Sequence, residues 1–379
     1  MKKVLFGALA AVAMVACSKD NVVETNRVND QISYGVVANS STRAADVYCN
    51  NNLPASFTVS AEHDGKLYFA EDVISVAEDG TCSSTATRYW PNSGEVTFYA
   101  HVNGTMTYDA GTLPTFENFV VEANVANQVD LMYAVQKQAK SDGEQVTLNF
   151  RHALSQIVFA AKNASEGKLY VEISGVEVHN VANASAAFTF PAEATENKVG
   201  EHNGGSNAID YQDGTWGTWA TATGSADYAV SFAAKEVTAT AAPLTYVVDE
   251  SNFSNAMLLM PQGATTAWVP EDAPAVADTD GTYLLINCAI YNVAGTSFDP
   301  AKDVALWGAQ GAHKKIAVPA SFAWEQGKKY IYTLVFGKGN GGYDPEPDDD
   351  EPEAVLVPIS YDITVDDFVV VDAGEIEVK

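Results

Sequence analysis

The chain has 379 residues and a formal charge of −28, from 21 Lys and Arg against 49 Asp and Glu. That length can hold two domains with real cores, and with no basic cluster to neutralise phosphates the charge excludes nucleic acid as a partner. The acid excess instead suits a protein kept soluble at a surface.

At the start, Lys2 and Lys3 precede an apolar run from Val4 to Ala16. It is too short to cross a bilayer as a mature helix, so residues 1–16 read as a secretory signal. The run ends in Met14-Val15-Ala16-Cys17-Ser18, which resembles the lipobox of bacterial lipoproteins, with Cys17 as the lipidated residue. Two or more acyl chains on Cys17 would hold the chain to a membrane stably, where a single chain would not. With Cys17 set aside, Cys49, Cys82 and Cys288 remain. Cys49 and Cys82 are the pair that would share a domain and a disulfide; three reduced thiols is the open alternative.

Residues 17–43 are mostly polar, except that Ile32, Tyr34, Val36 and Ala38 alternate with other residues in the period of a half-buried strand. Asn39-Ser40-Ser41-Thr42-Arg43-Ala44-Ala45 follows, a small and flexible stretch of the kind proteases cut. The segment 17–43 therefore reads as a propeptide that carries a removable strand, with the Arg43–Ala44 bond as the cleavage candidate.

From Asp46 onward, short runs rich in Val, Thr, Tyr and Phe recur between Gly-, Asn- and Asp-containing turns such as Asp64-Gly65 and Asp142-Gly143. The pattern predicts an all-β chain with few short helices, built as two tandem β-sandwich domains over 44–190 and 191–379. The polar stretch 191–207 is taken as the neighbourhood of the boundary, and Asp130–Gln138 as the best helix candidate. Residues 337–353 are rich in Gly, Pro and acid and predict an extended, mobile loop. Their acids are consecutive and broken by prolines, unlike a calcium loop. Beyond them lies a strand-like tail, about 355–379, in which Ile359, Tyr361, Ile363 and Val365 repeat the pattern of Ile32, Tyr34, Val36 and Ala38. A strand is specified by the side chains it points inward at every second position, so either segment could fill one slot.

Nothing in the sequence points to catalysis, a metal or a cofactor. His63, His101, His152, His179, His202 and His313 are scattered, no Gly-x-Ser-x-Gly elbow occurs, and no glycine-rich phosphate loop follows a strand. Trp216 and Trp219, in a Gly- and Thr-rich stretch, could offer rings to a sugar or simply cover a sandwich edge. A monomeric glycan-binding surface lipoprotein therefore stays open as an alternative.

Several motifs in order carry a family resemblance. They are the lipobox ending at Cys17, Thr42-Arg43-Ala44, Tyr89-Trp90-Pro91 followed by Val96-Thr97-Phe98-Tyr99-Ala100, Asp130-Leu131-Met132-Tyr133-Ala134, Leu148-Asn149-Phe150-Arg151-His152-Ala153-Leu154-Ser155, Leu258-Leu259-Met260-Pro261-Gln262 and Gly327-Lys328-Lys329-Tyr330-Ile331-Tyr332-Thr333-Leu334. Together they resemble the fimbrillin family of type V pilins from Bacteroides-type bacteria. The resemblance implies two transthyretin-like sandwiches, export as a lipoprotein to the outer-membrane surface, and trimming at Arg43 by an arginine-specific protease. It also implies polymerisation by donor-strand exchange with other pilin subunits, alongside anchor and tip pilins. A cleavage site together with a free tail favours the shaft over the tip or adhesin position. Five of the 21 basic and three of the 49 acidic residues precede Ala44, so the trimmed chain would carry −30. Such subunits repel within a Debye length of about 8 Å, which leaves strand insertion to hold a joint between them.

Overall fold

The computed structural model describes residues 31–38, 54–77, 79–142, 145–182, 185–195, 198–199, 209–210, 216–222, 224–245, 256–339, 341–348, 351–355 and 359–367. The early strands are β1 (Ser33–Ala38), β2 (Ser56–His63), β3 (Lys66–Val76), β4 (Cys82–Ser84), β5 (Glu95–Val102), β6 (Thr115–Val120), β7 (Met132–Ala139) and β8 (Gln145–His152). Next come β9 (Ser155–Asn163), β10 (Leu169–Ala182), β11 (Ser185–Thr189), β12 (Lys198–Val199), β13 (Ile209–Asp210), β14 (Thr218–Trp219), β15 (Ser225–Glu236) and β16 (Ala242–Pro243). The last are β17 (Met257–Leu259), β18 (Tyr283–Asn292), β19 (Val304–Trp307), β20 (Lys314–Pro319), β21 (Lys328–Phe336), β22 (Gly342–Tyr343), β23 (Ala354–Val355) and β24 (Ile359–Asp367). Helix among the described residues is limited to single 3₁₀ turns at Val125–Asn127, Lys140–Asp142 and Val276–Asp278. The chain is all-β, as its short β-branched and aromatic runs require.

The helix expected over Asp130–Gln138 is instead β7. Met132, Tyr133, Ala134 and Val135 are all buried, because β7 lies between β5 and β8 in mid-sheet and is covered on both faces. A strand covered on both sides loses its alternation, and its apolar run cannot be told from a buried helix by period alone. The β2–β3 hairpin follows its turn chemistry. His63 pairs with Lys66 across Asp64 and Gly65, whose φ angles of 51° and 68° are the left-handed pair of a type I′ turn.

The first unit is a seven-stranded sheet in the order β1-β8-β7-β5-β2-β3-β4. One face buries Phe57, Val59, Phe98, Leu148 and Phe150 in a cluster of its own. The other presents Tyr99 and Tyr133 to the three-stranded sheet β14-β11-β6, where Tyr133 meets Phe188 at 4.7 Å between ring centroids. The second unit stacks β15-β10-β18-β20-β22-β23 on β16-β9-β21-β24, and both sheets contribute to one apolar cluster that includes Ile173, Ile286, Phe159 and Leu334.

Sheet membership changes earlier than the boundary at residue 190 that composition suggests. Strands β9 and β10 hydrogen-bond to β21 and to β15 and β18, all well beyond residue 190, so the second unit starts at Ser155. The chain then returns to the first unit for β11, which pairs with β6. Polarity alone therefore does not mark where the sheets divide.

The loop expected over 337–353 is also tied down at its ends. Gly342 and Tyr343 pair with Val355 and Ala354, and Tyr343 packs edge-on to Trp268 at 5.7 Å. Glycine is what permits this approach: a Cβ at Gly342 would lie 2.1 Å from Ile316 Cγ2. Cys288, on β18, is fully buried, and desolvation pushes its thiol pKa up. Alkylation of the native protein near about pH 8 is therefore expected to spare Cys288 until denaturant is added. The half-buried Cys82, raised by the same cause, should react slowly. Intact-mass and peptide analysis checks this, and native labelling of Cys288 as fast as Cys82 would contradict it.

Candidate assembly site

The site is the slot that β1 occupies. β1 runs parallel to β8, from Ser33 opposite Gln145 to Ala38 opposite Phe150. Its alternation decides which side chains enter: Ile32 and Tyr34 are 5% and 6% exposed, Val36 is half-buried, and Ser33 is exposed. Tyr34 stands edge-on to Phe57 and Phe98, each at 6.2 Å. Gln145 Nε2 donates to the Tyr34 carbonyl at 3.2 Å, adding a side-chain tie to the ladder. Ala38 takes its place in the ladder opposite Phe150.

β1 is bonded on its other flank as well. The Ile32 N–H donates to the Arg88 carbonyl at 2.9 Å, and Gln31 forms an antiparallel bridge with Tyr89. The seven-stranded sheet therefore curls until its two ends meet on β1, with β8 on one side and the chain after β4 on the other. Withdrawing the strand would uncover Ile32, Tyr34 and Val36 at roughly 1.5 to 3 kcal/mol each, and would leave the edge of β8 unpaired.

The floor beneath Tyr34 contains charge. Asp72 is 7% exposed and takes bidentate hydrogen bonds from Arg88 Nε and Nη2, both 2.6 Å. Desolvation first, then Asp72, pushes the Tyr34 phenol pKa up, while Arg88 opposes the shift. The Tyr34 hydroxyl is buried and has no hydrogen-bond partner among the described residues. Sequence reasoning missed Arg88 and Asp72, because a bridge of one or two residues leaves no period to detect. The Tyr89-Trp90-Pro91 motif was the only signal near them.

The tail strand β24 lies at a sheet edge and pairs antiparallel with β21 along nine positions, from Ile359 opposite Phe336 to Asp367 opposite Lys328. It is held more lightly than β1. Ile359 is 2% exposed, but Ile363 is 46% exposed; Tyr361 is half-buried, its hydroxyl accepting from the Ser321 N–H at 3.3 Å. Val365 lies in the ladder opposite Tyr330. The structure thus puts β1 and β24 in different units, β24 on the edge of its sheet and β1 between β8 and the segment that follows β4.

Other singled-out residues fall elsewhere. Cys17, Arg43, Ala44 and Cys49 lie outside the described residues, and Cys82 is a free thiol among the described ones. Trp219 packs against Phe188 at 4.9 Å and donates its indole N–H to the Ala153 carbonyl at 2.6 Å. Trp216 lies under the Arg151 guanidinium at 4.4 Å. His152 Nδ1 is 2.9 Å from Asp130 Oδ2 in a fully buried pair, which ties the end of β8 to the segment entering β7. No group of three or more His, Cys, Asp or Glu is placed to hold a metal among the described residues. Nor is any helix there long and apolar enough to cross a membrane.

Comparison with solved structures finds a fimbrial protein from Bacteroides vulgatus ATCC 8482 at 14% identity and TM-score 0.47, covering 88% of this chain and 99% of that one. It also finds a candidate cell adhesion protein from Bacteroides uniformis ATCC 8492 at 13% identity and TM-score 0.44, covering 89% and 98%. A candidate cell adhesion protein from Bacteroides eggerthii DSM 20697 shows 13% identity and TM-score 0.42 over 89% and 96%. No curated protein matches the chain. The profile of the fimbrillin-like family matches residues 24–348, a span that takes in β1, its slot and both units as far as the hairpin before the tail, and the chain therefore belongs to the fimbrillin-like family.

Proposed function

We propose that the chain is a structural shaft subunit of a surface pilus that supports adhesion or biofilm formation. In this reading it is exported as a precursor anchored in the outer membrane through lipid on Cys17. An arginine-specific protease trims it between Arg43 and Ala44, and it then joins other copies, and anchor and tip pilins, by donor-strand exchange. The β1 slot accepts the strand, and the tail from Ile359, with Tyr361, Ile363 and Val365, is the donor. The observation that carries the reading is β1 itself, a buried strand that closes the sheet and ends only five residues before Arg43. A cut there would leave the strand held by noncovalent bonds alone, and a donated strand could then take over its backbone pairing and its pockets.

Limited trypsin treatment of the purified precursor is the direct test. The first cut is expected after Arg43, giving a product that begins at Ala44, loses the β1 peptide and assembles in size-exclusion chromatography and electron microscopy. A product that begins at Ala44, lacks the β1 peptide and stays monomeric overturns the reading. The glycan-binding alternative has less support: Trp219 spends its indole N–H on backbone and packs among phenylalanines, and Trp216 is covered by Arg151.

A further inference from the structure

The segment Arg88-Tyr89-Trp90 is held from several directions before it touches β1. Arg88 is fixed by its bidentate bonds to Asp72 and lies over the Phe69 ring at 4.9 Å. The Tyr89 carbonyl accepts from the Tyr68 hydroxyl at 2.5 Å. Trp90 is 5% exposed and stands edge-on to Phe98 at 5.7 Å. This preset stub then presents the Arg88 carbonyl to the Ile32 N–H, at the end of β1 where burial is deepest. Toward Val36 the strand is only half-buried and its ladder is to β8 alone. Among the described residues, the slot thus has one closed end and one open end.

We infer that Arg88, pinned by Asp72, is a positioning residue that sets the register of whichever strand occupies the slot. The ladder to β8 cannot fix register alone. A slip of two residues returns every side chain to the same face and keeps a full set of backbone bonds, so an apolar strand could settle two residues out of place. The Arg88 carbonyl accepts at one level only, and it puts the aromatic position of the strand over Phe57 and Phe98. The inference rests on the pilin reading in one respect: the same stop would align the donated strand after β1 has gone.

Disulfide trapping in the uncut, full-length chain tests this independently of assembly. Ser33→Cys with Gln145→Cys reports the native register, whereas Ser33→Cys with Thr147→Cys reports a slip of two; Gly35 is left unchanged, because a Cβ there already lies 3.2 Å from the Gln145 side chain in the native register. With Arg88 present, only the native pair should link, as mapped by peptide mass spectrometry. With Arg88→Leu, slipped links are expected at about a tenth or more of the native yield, because same-face registers then compete. Arg88→Lys, which keeps a cation beside Asp72, should restore most of the preference. If Arg88→Leu does not fold by circular dichroism, Asp72→Asn, which removes the pin and keeps Arg88, takes its place. A folded variant that links only in the native register overturns the inference. Trimmed Arg88→Leu subunits are expected to form fibres of irregular spacing. If registers slip as expected but no trimmed chain of any kind assembles, it is the pilin reading that fails, and the register role stands.

Discussion

Trimmed chains that lack Ile359–Lys379 are expected to form no fibres, while cleavage after Arg43 proceeds as in the parent. The reason lies in what each strand loses and gains. In its own unit β24 covers an edge, and Ile363 remains nearly half exposed there. In the slot of a neighbouring chain, the same alternating residues would replace Ile32, Tyr34 and Val36, which the β1 geometry shows to be buried or half-buried. Backbone bonds are exchanged one for one, so the net drive is apolar burial, at roughly 1.5 to 3 kcal/mol per side chain. Sedimentation and electron microscopy of the truncated and complete trimmed chains read this directly. Fibres from the truncated form would show that the donor lies elsewhere.

A second large effect is expected at Tyr34. Replacing it with Ala in the uncut precursor removes a ring packed between Phe57 and Phe98 and should lower unfolding stability by about 3 to 5 kcal/mol. It should also loosen the strand enough for assembly to begin before complete trimming. Tyr34→Phe makes the contrast. The hydroxyl is buried and meets no partner among the described residues, so its removal should be neutral or stabilise by about 1 kcal/mol. Denaturant unfolding of the three precursors checks both directions, and a Phe variant as damaged as the Ala variant would show that the hydroxyl is needed.

The strand that fills the slot was legible in the sequence, because β1 is half-covered and keeps a period of two. The alternation of Ile32, Tyr34 and Val36 matches their burial, whereas in β24 burial falls from Ile359 through Tyr361 to the exposed Ile363, so its sequence pattern told of a strand but not of which residues it buries. Where a strand is covered on both faces, as at Met132 to Val135, the period vanishes and a helix is the natural misreading. The division into units was hidden for a different reason. β9 pairs with β21 and β10 with β18, each more than a hundred residues downstream, and no local composition reveals a pairing of that range. The second flank of the slot was hidden because the Ile32–Arg88 bond joins two short segments, neither of which carries a pattern.

The order in which the chain visits the two units has a mechanical consequence. It passes from the first to the second between β8 and β9, back again between β10 and β11, and forward once more between β14 and β15. Domains joined by a single linker swing about it, whereas three such passages restrain rotation about any one of them. A subunit stretched between its ends would have to shear several strands at once before its halves could part, so it should yield in one abrupt step at high force rather than extend in two easy ones.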